Sequence, residues 1–200
     1  DTFGALEELK AEGKVRWYGG AVGPDLGWRE EGLFTVQERR VPAQIIYSIL
    51  EQDPANEFIE AATRAKVGLL SRVPHASGML DGTYTKDTLV DRMPFDKGDH
   101  RAFRKMKWMR DSVHKLRQID FVFQDKQATV GQIAVKFCLA PEIVACVLPT
   151  MTNAAQLEEY ATAPDIAELP ARELARLSEL HAANFGLQDR EPLKSSVGEG

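Results

Sequence analysis

Short apolar runs alternate along the chain with longer stretches in which apolar residues recur every three or four positions. The runs predict four strands, at 15–22, 43–50, 67–73 and 144–148. The periodic stretches predict helices at 1–12, 28–40, 105–123, 129–140, 153–162 and 170–183. A further helix is predicted to begin at Asp53-Pro54, with an aspartate cap and a proline at its first position.

The four strand segments are nearly continuous apolar runs rather than alternating ones. Strands that are buried on both faces and separated by helices are typical of a parallel α/β sheet. The first three strands begin ~25–30 residues apart, which suits right-handed βα crossovers. A doubly wound sheet and a β/α barrel both fit this pattern. No G-x-G-x-x-G follows a strand, so a Rossmann dinucleotide loop is not supported.

Length and composition place the chain among ordinary globular proteins. Its 200 residues, 44% hydrophobic and 28% charged, exclude wholesale disorder and allow one domain, or two small ones, with a substantial core. We assign that domain to residues 1–187 and a polar tail to 188–200. The polar stretch at 75–104 predicts a long loop, either a lid over a ligand or an ordered surface excursion.

The charge pattern argues against nucleic acid as a partner. The formal net charge is −5, and no dense run of Lys and Arg offers an electrostatic footprint for nucleic acid or an anionic membrane. The most basic segment, 101–110, contains apolar residues that predict the buried side of a helix: Phe103, Met106, Trp108 and Met109.

The two cysteines suggest a reducing compartment, which we expect to be the cytoplasm. Cys138 and Cys146 cannot form a disulfide framework, and no Cys/His spacing suggests a zinc site, so we expect no metal. No apolar run reaches the ~20 residues that a transmembrane helix needs, so we expect no membrane partner.

Four segments together carry a family resemblance. They are GALEELKAEGKVRWYGGAV at 4–22, AQIIYSILEQ at 43–52, VGLLSRVPHASGMLDGTY at 67–84, and TVGQIAVKFCLAPEIVACVLPT at 129–150 followed by NAAQLEEYATAPD at 153–165. In this order and spacing they resemble the C-terminal half of aldo-keto reductases. The resemblance implies a (β/α)8 TIM-type barrel that binds its cofactor at the C-terminal ends of the strands. This chain would supply about strands five to eight and their helices.

The resemblance also implies an activity, namely the reduction of aldehydes or ketones with hydride from NADPH or NADH. The family's catalytic Asp, Tyr, Lys and His belong to the first half of the barrel, so this chain is expected to hold no catalytic residue. We therefore expect a truncated product that needs the remaining half of the barrel as a partner, and this segment alone is expected to be inactive. A small carbonyl compound is the expected substrate.

Residues that would bind the cofactor lie at strand ends and in the segment after the third strand. By the resemblance, Gln44 would bond the nicotinamide carboxamide, and its alternative is a position in water at the strand mouth. Arg72 stands where many relatives have a tyrosine that stacks on the nicotinamide, and its alternative is an ion pair at the rim. Pro74, Ser77 and Gly78 match a turn that approaches the pyrophosphate; as a plain turn they need no ligand.

By the resemblance, Thr152 and Gln156 would contact the adenosine end of the cofactor. At this end the chain departs from the family pattern. Residues 150–152 lack the basic side chain that grips a 2′-phosphate, which predicts weak discrimination between NADPH and NADH. Tyr160 replaces the usual Asn, and His75 replaces the usual Leu and is expected at the surface.

A second departure concerns the nicotinamide end. Ala21 and Val22 stand where relatives have a Ser and an Asn that hold the carboxamide. The loss of both side chains keeps a different function open, that of a non-catalytic aldo-keto-reductase-like scaffold or interaction subunit.

Overall fold

The structure is a computed structural model that describes residues 2–23, 28–99, 101–124 and 126–188. Four strands are present in this part of the chain: β1 (Gly20–Ala21), β2 (Ala43–Ile46), β3 (Leu69–Arg72) and β4 (Val144–Leu148). The α-helices are α1 (Thr2–Ala11), α2 (Arg29–Gln37), α3 (Ala55–Ala65), α4 (Met106–Ile119), α5 (Val130–Leu139), α6 (Ala154–Ala161) and α7 (Ala171–Ala182). The predicted tail at 188–200 lies, beyond its first residue, outside the described residues.

The strands form one parallel sheet in the order β1-β2-β3-β4. Because parallel crossovers are almost always right-handed, an order that never reverses places every connecting helix on the same face. A doubly wound sheet reverses its strand order, so the described sheet has the winding of a barrel wall instead. The predicted α/β class with a parallel sheet is confirmed.

In the described residues the strands are buried on one face, whereas the apolar runs predict burial on both. In β2 and β3, buried residues alternate with half-buried ones, and in β4 three of the five residues are exposed. The helices cover one face of the sheet, whereas the other face, on which Gln44, Leu70 and Cys146 lie, has little over it in the described residues. This half-open face corresponds to the interior of a barrel wall.

The core lies between the sheet and its helices. Ile45 and Leu69 from the strands meet Phe58 of α3 and Ile133 of α5, all of them essentially inaccessible to solvent. At Gly32 in α2, an added Cβ would lie 2.6 Å from the Phe58 ring, so the close approach of α2 to α3 requires a glycine.

Two predicted helix starts had different outcomes. Thr129 caps α5 with a full capping box, in which its side chain accepts from the Gln132 N–H and the Gln132 side chain accepts from the Thr129 N–H. The aspartate cap predicted for α3 is wrong, because Pro54 occupies the N-cap position and no side chain caps the helix. The Asp53 carboxylate lies 3.9 Å from Nδ1 of His181 instead.

The long loop has little regular structure, as predicted, but it is anchored to the body of the domain. Tyr84, Val90, Met93 and Phe95 pack against the core cluster, and the Lys86 ammonium lies 2.8 Å from the Asp120 carboxylate. These contacts favour the ordered surface excursion over the lid.

One residue of the basic segment lies differently from the prediction. Met109 is buried on α4, but Phe103 precedes that helix and is 71% exposed. The correction has a simple cause, since α4 begins only at Met106 and Phe103 therefore cannot share its buried face.

Candidate functional site

The segment after β3 folds into a turn with an unusual backbone. Val73, Ala76, Ser77 and Gly78 have positive φ angles of 60°, 47°, 59° and 93°. The left-handed region is unfavourable for residues with a Cβ, and a β-branched valine there is rare. Within the turn, the amides of Gly78 and Leu80 donate to the carbonyl of His75 at 2.9 and 3.0 Å. Strain of this kind persists where the surroundings hold it, and it is often found at ligand sites.

Two guanidinium groups from the long loop hold this turn on one side. Arg101 Nη1 donates to the Ser77 carbonyl at 3.1 Å, and Arg104 Nη2 lies 3.2 Å from the Ser77 hydroxyl. Arg101 is fixed by two bonds to the Asp99 carboxylate, at 2.9 and 2.7 Å. Arg104 lies over the Trp108 ring, and its Nε is buried without a hydrogen-bond partner. The turn thus combines small residues, positive charge and an unused donor, which suits an anion.

Gln44, the second residue of β2, and Arg72, the last residue of β3, lie on the half-buried face of the sheet. The Val22 amide donates to the Gln44 carbonyl at 2.9 Å, and Arg72 Nη2 donates to the Val22 carbonyl at 3.1 Å. The residues that follow β1 therefore contribute backbone groups to this region, although Ala21 and Val22 bring no polar side chain.

A buried carboxyl group lies behind these arginines. Burial raises the pKa of Glu51, and the positive charges of Arg104, Lys115 and Arg72 partly oppose that shift. Its Oε2 is buried and has no hydrogen-bond partner. Nothing in the sequence pattern distinguishes this glutamate from a surface one, because its burial depends on strands and loops distant in the chain.

Thr152 and Gln156 come together at the start of α6. The Gln156 side-chain oxygen accepts from the amide and the hydroxyl of Thr152, at 2.8 and 3.0 Å, while the Gln156 amide donates to the Asn153 side chain at 2.9 Å. No cation lies in the 150–152 segment.

His75 is not at the surface, so that prediction is wrong. It is 6% exposed, its Nε2 lies 3.2 Å from the Gly131 carbonyl, and its ring centroid is 4.4 Å from that of Tyr160. Burial lowers its pKa. The helix α5 and Tyr160 cover it, and neither can be located from the local sequence around residue 75.

Pro74, the remaining predicted site residue, lies in this turn, two residues after β3 ends. Of the predicted site residues, the structure groups Pro74, Ser77 and Gly78 in one turn, Thr152 with Gln156 in one cap, and Gln44 with Arg72 on one face. In the described part of the chain, no cluster of His, Cys, Asp and Glu could hold a metal ion. Nor does any described helix combine the length and apolar character needed to cross a membrane.

A family model decides the classification. The model described as "Aldo/keto reductase family" matches residues 1–182. The chain belongs to the aldo/keto reductase family. The sequence resemblance is thereby confirmed, and an α/β fold with a parallel sheet is the fold that this membership leads one to expect.

Solved structures of similar fold agree with this membership. Aldo-keto reductase AKR11C1 from Bacillus halodurans, in its holo form, is 24% identical, with a TM-score of 0.59 over 88% of this chain and 54% of that one. The glycerol dehydrogenase AKR11B4 from Gluconobacter oxydans is 14% identical, with a TM-score of 0.69 over 95% of this chain and 56% of that one. The chain thus spans about half the length of the solved structures that it matches.

One curated relative has a different role. A probable voltage-gated potassium channel subunit beta from Arabidopsis thaliana is 25% identical over 113 residues, which cover 56% of this chain and 34% of that protein. The proteins that this chain is similar to therefore include one named for an interaction as well as some named for an activity.

Proposed function

We propose that the complete protein is an oxidoreductase that reduces a small aldehyde or ketone with NADPH or NADH, and that this chain supplies about strands five to eight of the barrel. The observation that carries the proposal is the turn at 73–78, where two arginines converge on Ser77 beside the unused Nε of Arg104. A pyrophosphate carries the negative charge that this arrangement suits.

In this proposal, different residues bind different parts of the dinucleotide. Gln44 binds the nicotinamide carboxamide and Arg72 lies against the nicotinamide ring. Pro74, Ser77 and Gly78 form the pyrophosphate turn, while Thr152 and Gln156 contact the adenosine. When bound, the cofactor supplies a hydride to the carbonyl carbon. The proton donor and its supporting acids come from the remaining half of the barrel, since this chain carries no proposed catalytic residue.

We propose that discrimination between NADPH and NADH is weak. The adenosine end has no cation at 150–152, and two arginines of the loop, Arg101 and Arg104, contact Ser77 at the pyrophosphate end. A charge-assisted contact to a 2′-phosphate would contribute about 1.5–3 kcal/mol, or about one to two decades in affinity. Without this contact, we expect the protein to prefer NADPH over NADH by less than about a hundredfold.

The proposal is tested with protein produced from the full coding sequence. Arg104→Ala removes a cation from the turn, whereas Arg110→Ala removes an exposed cation from α4 and serves as the matched control. Fluorescence titration with NADPH and NADH should show at least a tenfold weakening, about 1.4 kcal/mol, for the first variant and little change for the second. If the unsubstituted protein binds neither nucleotide, the proposed function is wrong.

The second candidate is a non-catalytic subunit that keeps the barrel for binding a partner. The missing polar side chains at Ala21 and Val22 favour it, and the similarity to a channel subunit adds support. A turnover assay with a panel of aldehydes and ketones separates the two functions. Nucleotide binding without turnover would favour the subunit, whereas measurable reduction would favour the enzyme. We propose the cytoplasm as the location, since both cysteines are free thiols.

A further inference from the structure

The side chains of His75, in the turn after β3, and Tyr160, in α6, are in contact with one another. The ring centroids are 4.4 Å apart with planes inclined by 43°. His75 is 6% exposed and Tyr160 is 4% exposed, so the contact is buried. Paired aromatic rings at this distance contribute stabilisation in addition to that from the apolar area that they bury.

His75 is fixed at both its backbone and its ring. Its carbonyl accepts from the amides of Gly78 and Leu80, which shapes the turn. Its Nε2 must carry the hydrogen, because its partner at 3.2 Å is the Gly131 carbonyl, which only accepts. Burial lowers the imidazole pKa and so favours this neutral form. A shift of the ring would therefore move the turn.

Tyr160 is fixed against the start of α5. A Cβ added at Gly131 would lie 2.6 Å from its ring, so the ring packs directly on the α5 backbone. Next to it, the Gln132 side chain donates to the Glu159 carbonyl at 3.1 Å and to the Thr162 hydroxyl at 2.9 Å. The end of α6 is thereby docked on α5, and the rest of α6 follows as a rigid helix.

We propose that His75 and Tyr160 form a buried clamp that fixes the distance between the turn at 73–78 and helix α6, and that this clamp favours a dinucleotide over a mononucleotide. The proposal rests on the proposed function, in which the turn holds the pyrophosphate and α6 begins with the adenosine contacts Thr152 and Gln156. A ligand that touches only the turn does not depend on this distance. A ligand that spans both elements does.

The test compares NADH with reduced nicotinamide mononucleotide, which lacks the adenosine, on protein from the full coding sequence. His75→Leu and Tyr160→Leu should each weaken NADH binding about tenfold while changing mononucleotide binding less than about twofold. The double variant should lose little more than the worse single variant, because both break one contact. Tyr160→Phe keeps the ring and should restore the binding of the unsubstituted protein.

A further variant distinguishes loss of the clamp from loss of folding. Gly131→Ala suits a helix and forces the Tyr160 ring to shift, so it should show the same selective loss of NADH binding. The clamp is refuted if the losses of NADH affinity in the two leucine variants multiply in the double variant. It is also refuted if mononucleotide binding falls as much as NADH binding, or if Gly131→Ala binds NADH normally. Absence of NADH binding in the unsubstituted protein would instead refute the proposed function.

Discussion

Replacement of Gly78 by alanine should destabilise the protein through two separable effects. Gly78 has φ +93°, a conformation that L residues adopt at a cost of about 1–2 kcal/mol. In addition, its new Cβ would lie 2.9 Å from Arg101 Nη1. Arg101 has little freedom to withdraw, since Asp99 binds it twice and the Phe95 ring lies 4.2 Å from its guanidinium carbon.

The size of the second effect follows from the bond that breaks. Arg101 Nη1 would lose the Ser77 carbonyl, and a hydrogen bond of this partly exposed kind contributes about 1 kcal/mol. The expected loss of unfolding free energy for Gly78→Ala is therefore about 2–3 kcal/mol.

The chain offers a matched control at Gly82. This residue has φ +87°, and an added Cβ there meets nothing within 4 Å. Gly82→Ala should therefore lose only the backbone part, about 1–2 kcal/mol. The assay is urea unfolding of both variants in protein from the full coding sequence, followed by nucleotide titration. Gly78→Ala should be less stable than Gly82→Ala by about 1 kcal/mol and should bind nucleotide more weakly. Equal stability and equal affinity for the two variants would refute the role assigned to the Arg101 contact.

Three further predictions concern stability. Leu69→Ala empties a fully buried position in β3 and should lower the unfolding free energy by about 2–5 kcal/mol in urea titrations. Thr129→Ala removes the α5 cap and should lower it by about 1 kcal/mol, and a conservative Thr129→Ser should recover most of that loss. Because the folded-state pKa of His75 lies below its ordinary value of 6.5, the unfolded state binds more protons, and stability should fall as the pH drops below about 6.5. His75→Leu should flatten that slope by up to about 1.4 kcal/mol per pH unit; an unchanged slope would mean that His75 does not titrate with folding.

Much of the fold could be predicted because the spacing of apolar residues reflects the periodicity of the helix or strand that they form. The apolar runs located all four strands, and the helix predicted over 129–140 does begin at its Thr129 cap. The first strand was predicted over 15–22, whereas only Gly20 and Ala21 pair with β2. Burial on one face only could not be predicted from composition, because an apolar run is the same whether one face or two are covered.

The site was predictable only where the family pattern is kept. The turn with Ser77 and Gly78 was located from the resemblance, but the arginines that hold it come from a loop without periodicity. Their position depends on contacts such as that of Arg101 with Asp99 and Phe95. Burial of His75 escaped prediction for a similar reason, since Gly131 and Tyr160 are distant in the chain and close only in the fold.

A crystal structure of the protein from its full coding sequence, grown with NADPH, tests the central claim most directly. We predict that the pyrophosphate lies within hydrogen-bond distance of the turn at 73–78, with Arg101 and Arg104 beside it, and that the nicotinamide carboxamide lies at Gln44. A dinucleotide bound away from this turn, or no nucleotide in the strand-end site at saturating concentration, would contradict the account.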